Sequence, residues 1–176
     1  MTGHLVLIGL PGAGKSTVGP LLAARLKLPF LDFDAEIERR TGRSVPSIIR
    51  DDGEPAFREL EHKLTVELAA LAMAAPAVLA PGGGWVTRPD TVALLRPRAR
   101  LVHLKVTPEA AIRRLGSARL ARPLLDGEDP LARITALETA RRTAYATADW
   151  VIDTELITVQ EVIDIIAELV SAPGDG

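Results

Sequence analysis

The sequence predicts an α/β fold in which short strands alternate with longer helices and the strands run parallel. Three observations lead there. Short strand-like runs, among them residues 5–8, 77–80 and 100–106, alternate with segments whose apolar residues recur at helical spacing. The connection after the first run is Gly9-Leu10-Pro11-Gly12-Ala13-Gly14-Lys15-Ser16, which fits G-x-x-x-x-G-K-[ST] between a strand and a helix. Two later strands end in Asp32-Phe33-Asp34 and in Gly82-Gly83-Gly84, groups suited to the crevice beyond the C-terminal ends of a parallel sheet.

The first connection is a phosphate-binding P-loop by its residue types. Its glycines permit positive φ and close approach, so successive N–H groups turn inward toward phosphate oxygens. The following helix offers unpaired donors and its positive dipole end to the same anion. Lys15 supplies a point charge for the β- and γ-phosphates, and the Ser16 hydroxyl is the expected Mg²⁺ ligand.

Bulk composition narrows the class. A chain of 176 residues, 47% hydrophobic and 25% charged, suits one soluble globular domain with a substantial core. Its 21 basic and 23 acidic residues leave a net charge of −2, and it has two Trp, one Tyr and three Phe. That disfavours a nucleic-acid surface, for want of both a basic field and a stacking platform. With no cysteine, disulfides, thiol catalysis and thiolate metal sites are excluded, which suits a cytoplasmic setting. The chain opens on a core strand rather than a signal peptide, and no apolar stretch is long enough to span a membrane.

In chain order, Val18, Leu21, Leu22 and Leu26 continue the P-loop helix to about Lys27, although Pro20 strips it of the bond to the Ser16 carbonyl. The second strand is expected to end in Asp32-Phe33-Asp34, alternation placing both carboxylates on one side. One can serve Mg²⁺ and the other accept a substrate proton, or one merely caps a helix over 35–41. Ser44 is a plausible cap for a helix over 45–50, and residues 51–54 read as a solvated turn. A long helix over 55–74 follows, with Phe57, Leu60, Leu64, Leu68 and Leu71 as its apolar stripe. Arg58 and Glu61 share one face of it, so Glu61 can aim the Arg58 fork at a substrate carboxylate.

The third strand, residues 77–80, leads into the three glycines, whose bare N–H groups form a second cradle. Trp85 beside them is either packing or a wall of the substrate pocket. A short helix over 90–95, a strand over 100–106 and a helix opened by Thr107 and Pro108 come next. Residues 116–125 then carry Arg119 and Arg122, just after Arg113 and Arg114, as a loop suited to closing over phosphates. A helix over 130–147 with Arg133, Arg141 and Arg142, a strand over 150–152 and an amphipathic helix over 158–170 complete the fold, with residues 171–176 a frayed tail. His4, His62 and His103 fall on separate elements without ligand spacing and read as structural or surface residues.

Together these pieces resemble the shikimate kinases over nearly the whole chain. The resemblance rests on four motifs in the family's order: the P-loop, Leu31-Asp32-Phe33-Asp34, Phe57-Arg58-Glu59-Leu60-Glu61, and the glycine run. A fifth, Arg122-Pro123-Leu124-Leu125, is similar to the family's lid. It implies a three-layer sandwich of the P-loop, nucleoside monophosphate kinase-like type, a five-stranded parallel sheet flanked by helices. One domain would cover residues 1–170, with a substrate-binding region at about 33–61 and a lid at about 112–125.

The activity implied is transfer of the ATP γ-phosphoryl to the 3-hydroxyl of shikimate, by a monomer in the cytoplasm. By the same resemblance Gly12, Ala13, Gly14, Lys15, Ser16 and Thr17 would hold the nucleotide, and Lys15 and Arg122 would stabilise the transferring phosphoryl. Ser16 and Asp32 would hold Mg²⁺, and Asp34 would bind the hydroxyls and take the proton. Arg58 and Arg141 would hold the carboxylate, Gly82, Gly83 and Gly84 would meet the substrate through the backbone, and Arg114 would stack near adenine.

Three features depart from the family pattern. Residues 141–145 keep only the first and last members of R-x-P-L-Y, Trp85 stands where a small residue is usual, and Pro20 interrupts the first helix. The alternatives are a kinase of another small hydroxy acid such as gluconate, and a nucleotide-binding regulatory module without chemistry. The second would have no use for Asp34, Arg58 and Arg122.

Overall fold

A computed structural model describes residues 3–70, 75–116 and 129–172. The chain runs β1 (His4–Ile8), α1 (Lys15–Leu26), β2 (Phe30–Asp32), α2 (Phe33–Thr41), α3 (Val45–Asp52) and α4 (Glu54–Ala70). It continues through β3 (Val78–Ala80), α5 (Pro89–Leu95), β4 (Ala99–Lys105), α6 (Pro108–Leu115), α7 (Pro130–Tyr145), β5 (Trp150–Asp153) and α8 (Val159–Ser171). Single 3₁₀ turns at Trp85–Thr87 and Arg96–Arg98 flank α5.

The strands form one parallel sheet in the order β2-β3-β1-β4-β5. β1, in the middle, buries all five residues, the reason its apolar run is continuous rather than alternating. Register matters at two places. Asp32 lies level with Ala80, so its carboxylate ends beside the turn that opens the glycine run. Ile8 lies level with His103, which brings β4 under the start of the P-loop. The chain leaves β1 toward one edge of the sheet and β4 toward the other, the arrangement that opens a ligand crevice at the C-terminal ends. Helices flank the sheet, with α1 against α8, α3 against α4 and α6 against α7. Among the described residues no helix is long and apolar enough to cross a membrane.

Two expectations are corrected. β2 ends at Asp32, and Asp34 is not on the strand but in the first turn of α2. The Asp32 carboxylate accepts the Ala35 N–H at 3.3 Å and so caps the helix, turning the chain at Phe33. Residues 51–54 are not a free turn either: Asp51 and Asp52 finish α3 and pair with Arg43, and Glu54 opens α4.

Pro20 lies within α1, which runs on to Leu26; the residue is exposed, so water can serve the carbonyl it leaves unbonded. The Leu71 end of the apolar stripe, the Arg119 and Arg122 loop and residues 173–176 lie outside the described residues.

α1 closes on Lys27, whose φ of 56° is the only positive value at a non-glycine residue among those described. The left-handed conformation costs a side-chain-bearing residue about 1 kcal/mol relative to glycine. Lys27 is exposed and leaves no packing behind, so Lys27→Gly is expected to raise stability by roughly 0.5–1 kcal/mol. The measurement is the urea midpoint at unchanged slope, and a lower midpoint contradicts the reading.

Candidate active site

A cleft of about 490 Å³ opens over the C-terminal ends of the strands. Its walls are residues 11–18 of the P-loop, Asp32 and Asp34, residues 80–83, and a far side that includes Arg114, Thr154, Ile157 and Val162. The P-loop is built for an anion. Gly12 and Gly14 have φ of 84° and 96°, a region that a side chain would resist. Gly14 caps α1 without a side chain, and the first turn of α1 contains no acidic residue, so the helix itself presents no anion to an incoming phosphate. The Lys15 ammonium is folded over its own loop, donating to the Gly9 carbonyl at 2.8 Å and the Leu10 carbonyl at 3.1 Å.

Ser16 and Asp32 meet directly, the hydroxyl donating to the carboxylate at 3.1 Å while the other carboxylate oxygen caps α2. Asp32 therefore both caps a helix and faces the phosphate loop. Asp34, two residues on in the first turn of α2, borders the same cleft.

The glycine run explains the other half of the site. None of Gly82, Gly83 and Gly84 has a positive φ, so backbone freedom is not what the positions need. They need room. A Cβ on Gly82 would stand 2.5 Å from a Glu61 carboxylate oxygen and 3.3 Å from an Asp34 oxygen. On Gly83 it would stand 2.8 Å from Arg141 Nη1, and on Gly84 it would overlap the Arg58 guanidinium. Each glycine thus gives its missing side-chain volume to a charged group of the site.

Those charged groups are largely removed from solvent. Arg58 Nη1 donates to Glu61 at 2.5 Å and its other nitrogens to Glu54 at 2.6 and 3.1 Å, while the Gly82 N–H donates to Glu61 at 3.0 Å. Arg141 is 4% exposed, and its Nη1 has no hydrogen-bond partner among the described residues. Neither arginine is in the wall of the cleft; both abut the glycine turn that borders it. Desolvation pushes the Glu61 carboxyl above its ordinary 4.5, Arg58 opposing this and Asp34 adding to it. Burial also works against the Arg58 charge, but the two glutamates outweigh it and hold that guanidinium above its ordinary value.

The spacing-based Arg58–Glu61 pair is present, and Arg114 borders the cleft with its guanidinium fixed on Thr154, at 2.9 Å to the hydroxyl and 2.5 Å to the carbonyl. Arg122 lies outside the described residues. Trp85 is not a pocket wall: it is 1% exposed, donates its indole N–H to Thr65 at 2.9 Å and meets Phe33 edge-to-face at 6.5 Å. Thr65 of α4 and Phe33 of α2 take up its bulk, so it packs beneath the glycine turn rather than facing the cleft. Glu54 was missed, and its signal was the four-residue spacing to Arg58.

The family model described as shikimate kinase matches residues 11–171. A shikimate kinase of Pseudomonas entomophila is 44% identical over 172 residues, 97% of this chain and 98% of that one. One from Thioalkalivibrio sulfidiphilus is 42% identical over 167 residues, covering 94% and 86%. Among solved structures, the shikimate kinase of Acinetobacter baumannii in complex with shikimate superposes with a TM-score of 0.88 at 35% identity, covering 96% of this chain and 92% of that one. A gluconokinase of Sinorhizobium meliloti, at 17% identity and a TM-score of 0.58 over 96% and 95%, shares the fold alone.

Glu61 generates a pH prediction. Because its carboxyl is raised in the folded protein, the native state keeps the proton to higher pH than the unfolded chain does. Its contribution is therefore most favourable below 4.5 and declines as pH rises through the folded value. Glu61→Gln, which cannot ionise, is expected to gain stability relative to wild type between pH 4.5 and neutrality. Urea unfolding of both proteins at the two pH values decides it, and a relative loss in the variant contradicts it.

Proposed function

The chain belongs to the shikimate kinase family, and from that premise we propose that it transfers the γ-phosphoryl group of ATP to the 3-hydroxyl of shikimate, giving shikimate 3-phosphate and ADP on the route to chorismate and the aromatic amino acids. The observation that carries the acceptor half is the buried Arg141 Nη1, without a hydrogen-bond partner among the described residues, beside a glycine turn that also borders Arg58. A cationic donor left unsatisfied in the interior is unfavourable unless an anionic group arrives to meet it, and the shikimate carboxylate is such a group. The relative from Acinetobacter baumannii, solved in complex with shikimate, supports the same acceptor.

In this reading the backbone of residues 12–17 and the N-terminus of α1 receive the phosphates, and Lys15 leaves its two carbonyls for the β- and γ-oxygens. Asp34 accepts the hydroxyl proton as the acceptor oxygen bonds to phosphorus and the bond to the ADP oxygen breaks. Arg58 and Arg141 hold the carboxylate end, and Gly82, Gly83 and Gly84 let the acceptor approach the backbone. Orientation and fixed charge do the work, so nothing covalent is asked of the protein. Ser16 and Asp32 fit a hard divalent cation such as Mg²⁺: a hydroxyl and a carboxylate oxygen 3.1 Å apart at the cleft, with the remaining positions open to water and phosphate. Bound there, the cation would neutralise phosphate charge. By likeness to the family alone, Arg122 joins Lys15 on the transferring group and Arg114 lies against adenine.

We further propose that the protein works as a cytoplasmic monomer, one P-loop kinase domain over residues 1–170, with small molecules as its partners. The net charge of −2 supports small-molecule over nucleic-acid partners, since it provides no broad field for nucleic acid.

The test is ADP release by the purified chain with ATP and Mg²⁺, with and without shikimate, and with gluconate in parallel. A shikimate-dependent signal is expected, and ADP release with gluconate alone overturns the acceptor. Asp34→Asn is expected to lower kcat by about 10²- to 10⁴-fold with ATP binding retained. Arg58→Ala is expected to act mainly on the shikimate KM, raising it about tenfold or more. Full turnover in the first variant, or an unchanged KM in the second, removes that residue from its role.

A further inference from the structure

Tyr145 closes α7 four residues after Arg141, on the same face of the helix. It is 3% exposed, and its ring lies flat on His103 of β4, with centroids 4.5 Å apart and planes inclined by 18°. The stack fixes where the hydroxyl points. It reaches the Gly83 carbonyl at 3.5 Å, a long contact and weak on its own, and it also interacts with the Arg141 guanidinium. Gly83 in turn touches both halves of the site, since a Cβ there would lie 2.8 Å from Arg141 Nη1 and 3.4 Å from the Gly9 carbonyl of the P-loop. One phenol therefore stands where the buried arginine, the glycine turn and the phosphate loop converge.

His103 suits its part. Burial first, then the charges of Lys105 and Lys15, hold its imidazole down to about 4 against the opposing pull of Glu138, so it supports the phenol as a neutral ring. Its place on β4, level with Ile8, ties the stack to the strand that delivers the P-loop.

We propose that Tyr145 is a positioning residue for the acceptor: braced on His103, its hydroxyl sets the Arg141 guanidinium against Gly83 so that Nη1, unpaired among the described residues, faces the acceptor carboxylate. The inference rests on the function proposed above and assigns work to two residues outside the P-loop, the acidic pair and the glycine run. It also gives a reason for the tyrosine at the end of residues 141–145, where the intervening residues depart from the family pattern.

Tyr145→Phe keeps the ring, the stack and the burial while removing only the hydroxyl. Steady-state kinetics on wild type, Tyr145→Phe, Arg141→Lys and the double variant are the test. The single Tyr145→Phe change is expected to raise the shikimate KM about three- to tenfold, with kcat and the ATP KM within about twofold and the melting temperature nearly unchanged. The double variant is expected to be no worse than Arg141→Lys, because the hydroxyl acts through that arginine. His103→Ala, which removes the brace and leaves the hydroxyl, is expected to raise the same KM.

An unchanged shikimate KM in Tyr145→Phe overturns the inference, as does a loss that adds in full to that of Arg141→Lys. Wild-type turnover decides the acceptor separately. If the wild type uses another carboxylate-bearing hydroxy acid, the same ratios with that acceptor decide the positioning role; without turnover, calorimetric dissociation constants for shikimate give the ratios.

Discussion

Three adjacent positions without a side chain set the geometry of half this site. Glu61, Arg141 and Arg58 press successively against Gly82, Gly83 and Gly84, at separations a Cβ could not share. The constraint is steric rather than conformational: Gly84 has φ −93° and ψ −9°, a conformation open to any residue. The turn follows β3 and lies beside β1, so it borders the P-loop as well, and Gly83 is within reach of the Gly9 carbonyl. Glycine turn and phosphate loop are thereby held in fixed relation by backbone rather than by long side chains.

That packing brings charge into the interior, which is unfavourable unless each ion is matched. Arg58 is matched by Glu61 and Glu54, and Glu61 by Arg58 and the Gly82 N–H. The match is incomplete in the direction that suits a binding site: Glu61 stays destabilised by burial, and Arg141 keeps an unpaired nitrogen among the described residues. In the function proposed above, an acceptor carboxylate would relieve the second of these, and part of its affinity would then come from a desolvation penalty already built into the fold. Beneath this layer Trp85, Thr65 and Phe33 form the floor. The indole N–H is satisfied by the Thr65 hydroxyl, which itself donates to the Glu61 carbonyl at 2.7 Å.

What was legible in the sequence was what short-range rules govern. The P-loop reads from eight consecutive residues, and Arg58 with Glu61 from a three-residue spacing on an amphipathic helix. The D-x-D stretch was read as strand because alternation favours it, yet the same aspartate is also a good helix cap, and the cap won: Asp32 binds Ala35 and starts α2. Glu54 was hidden by Asp51-Asp52-Gly53, which look like a turn and in fact end one helix just before the next. Packing was one of the two readings open for Trp85, but its partners Thr65 and Phe33, like the His103–Tyr145 stack, could not be read, because they are brought together only by the fold.

The most direct test of this account is Gly84→Ala, assayed for the KM of each substrate. The backbone there accepts alanine, so the added methyl acts only by displacing the Arg58 guanidinium. The account predicts a shikimate KM raised about tenfold or more with the ATP KM within about twofold, since a displaced carboxylate partner weakens acceptor binding and leaves the phosphate loop as it was. An unchanged shikimate KM, or equal losses for both substrates, would contradict the claim that the glycine run exists to make room for the acceptor's cationic partners.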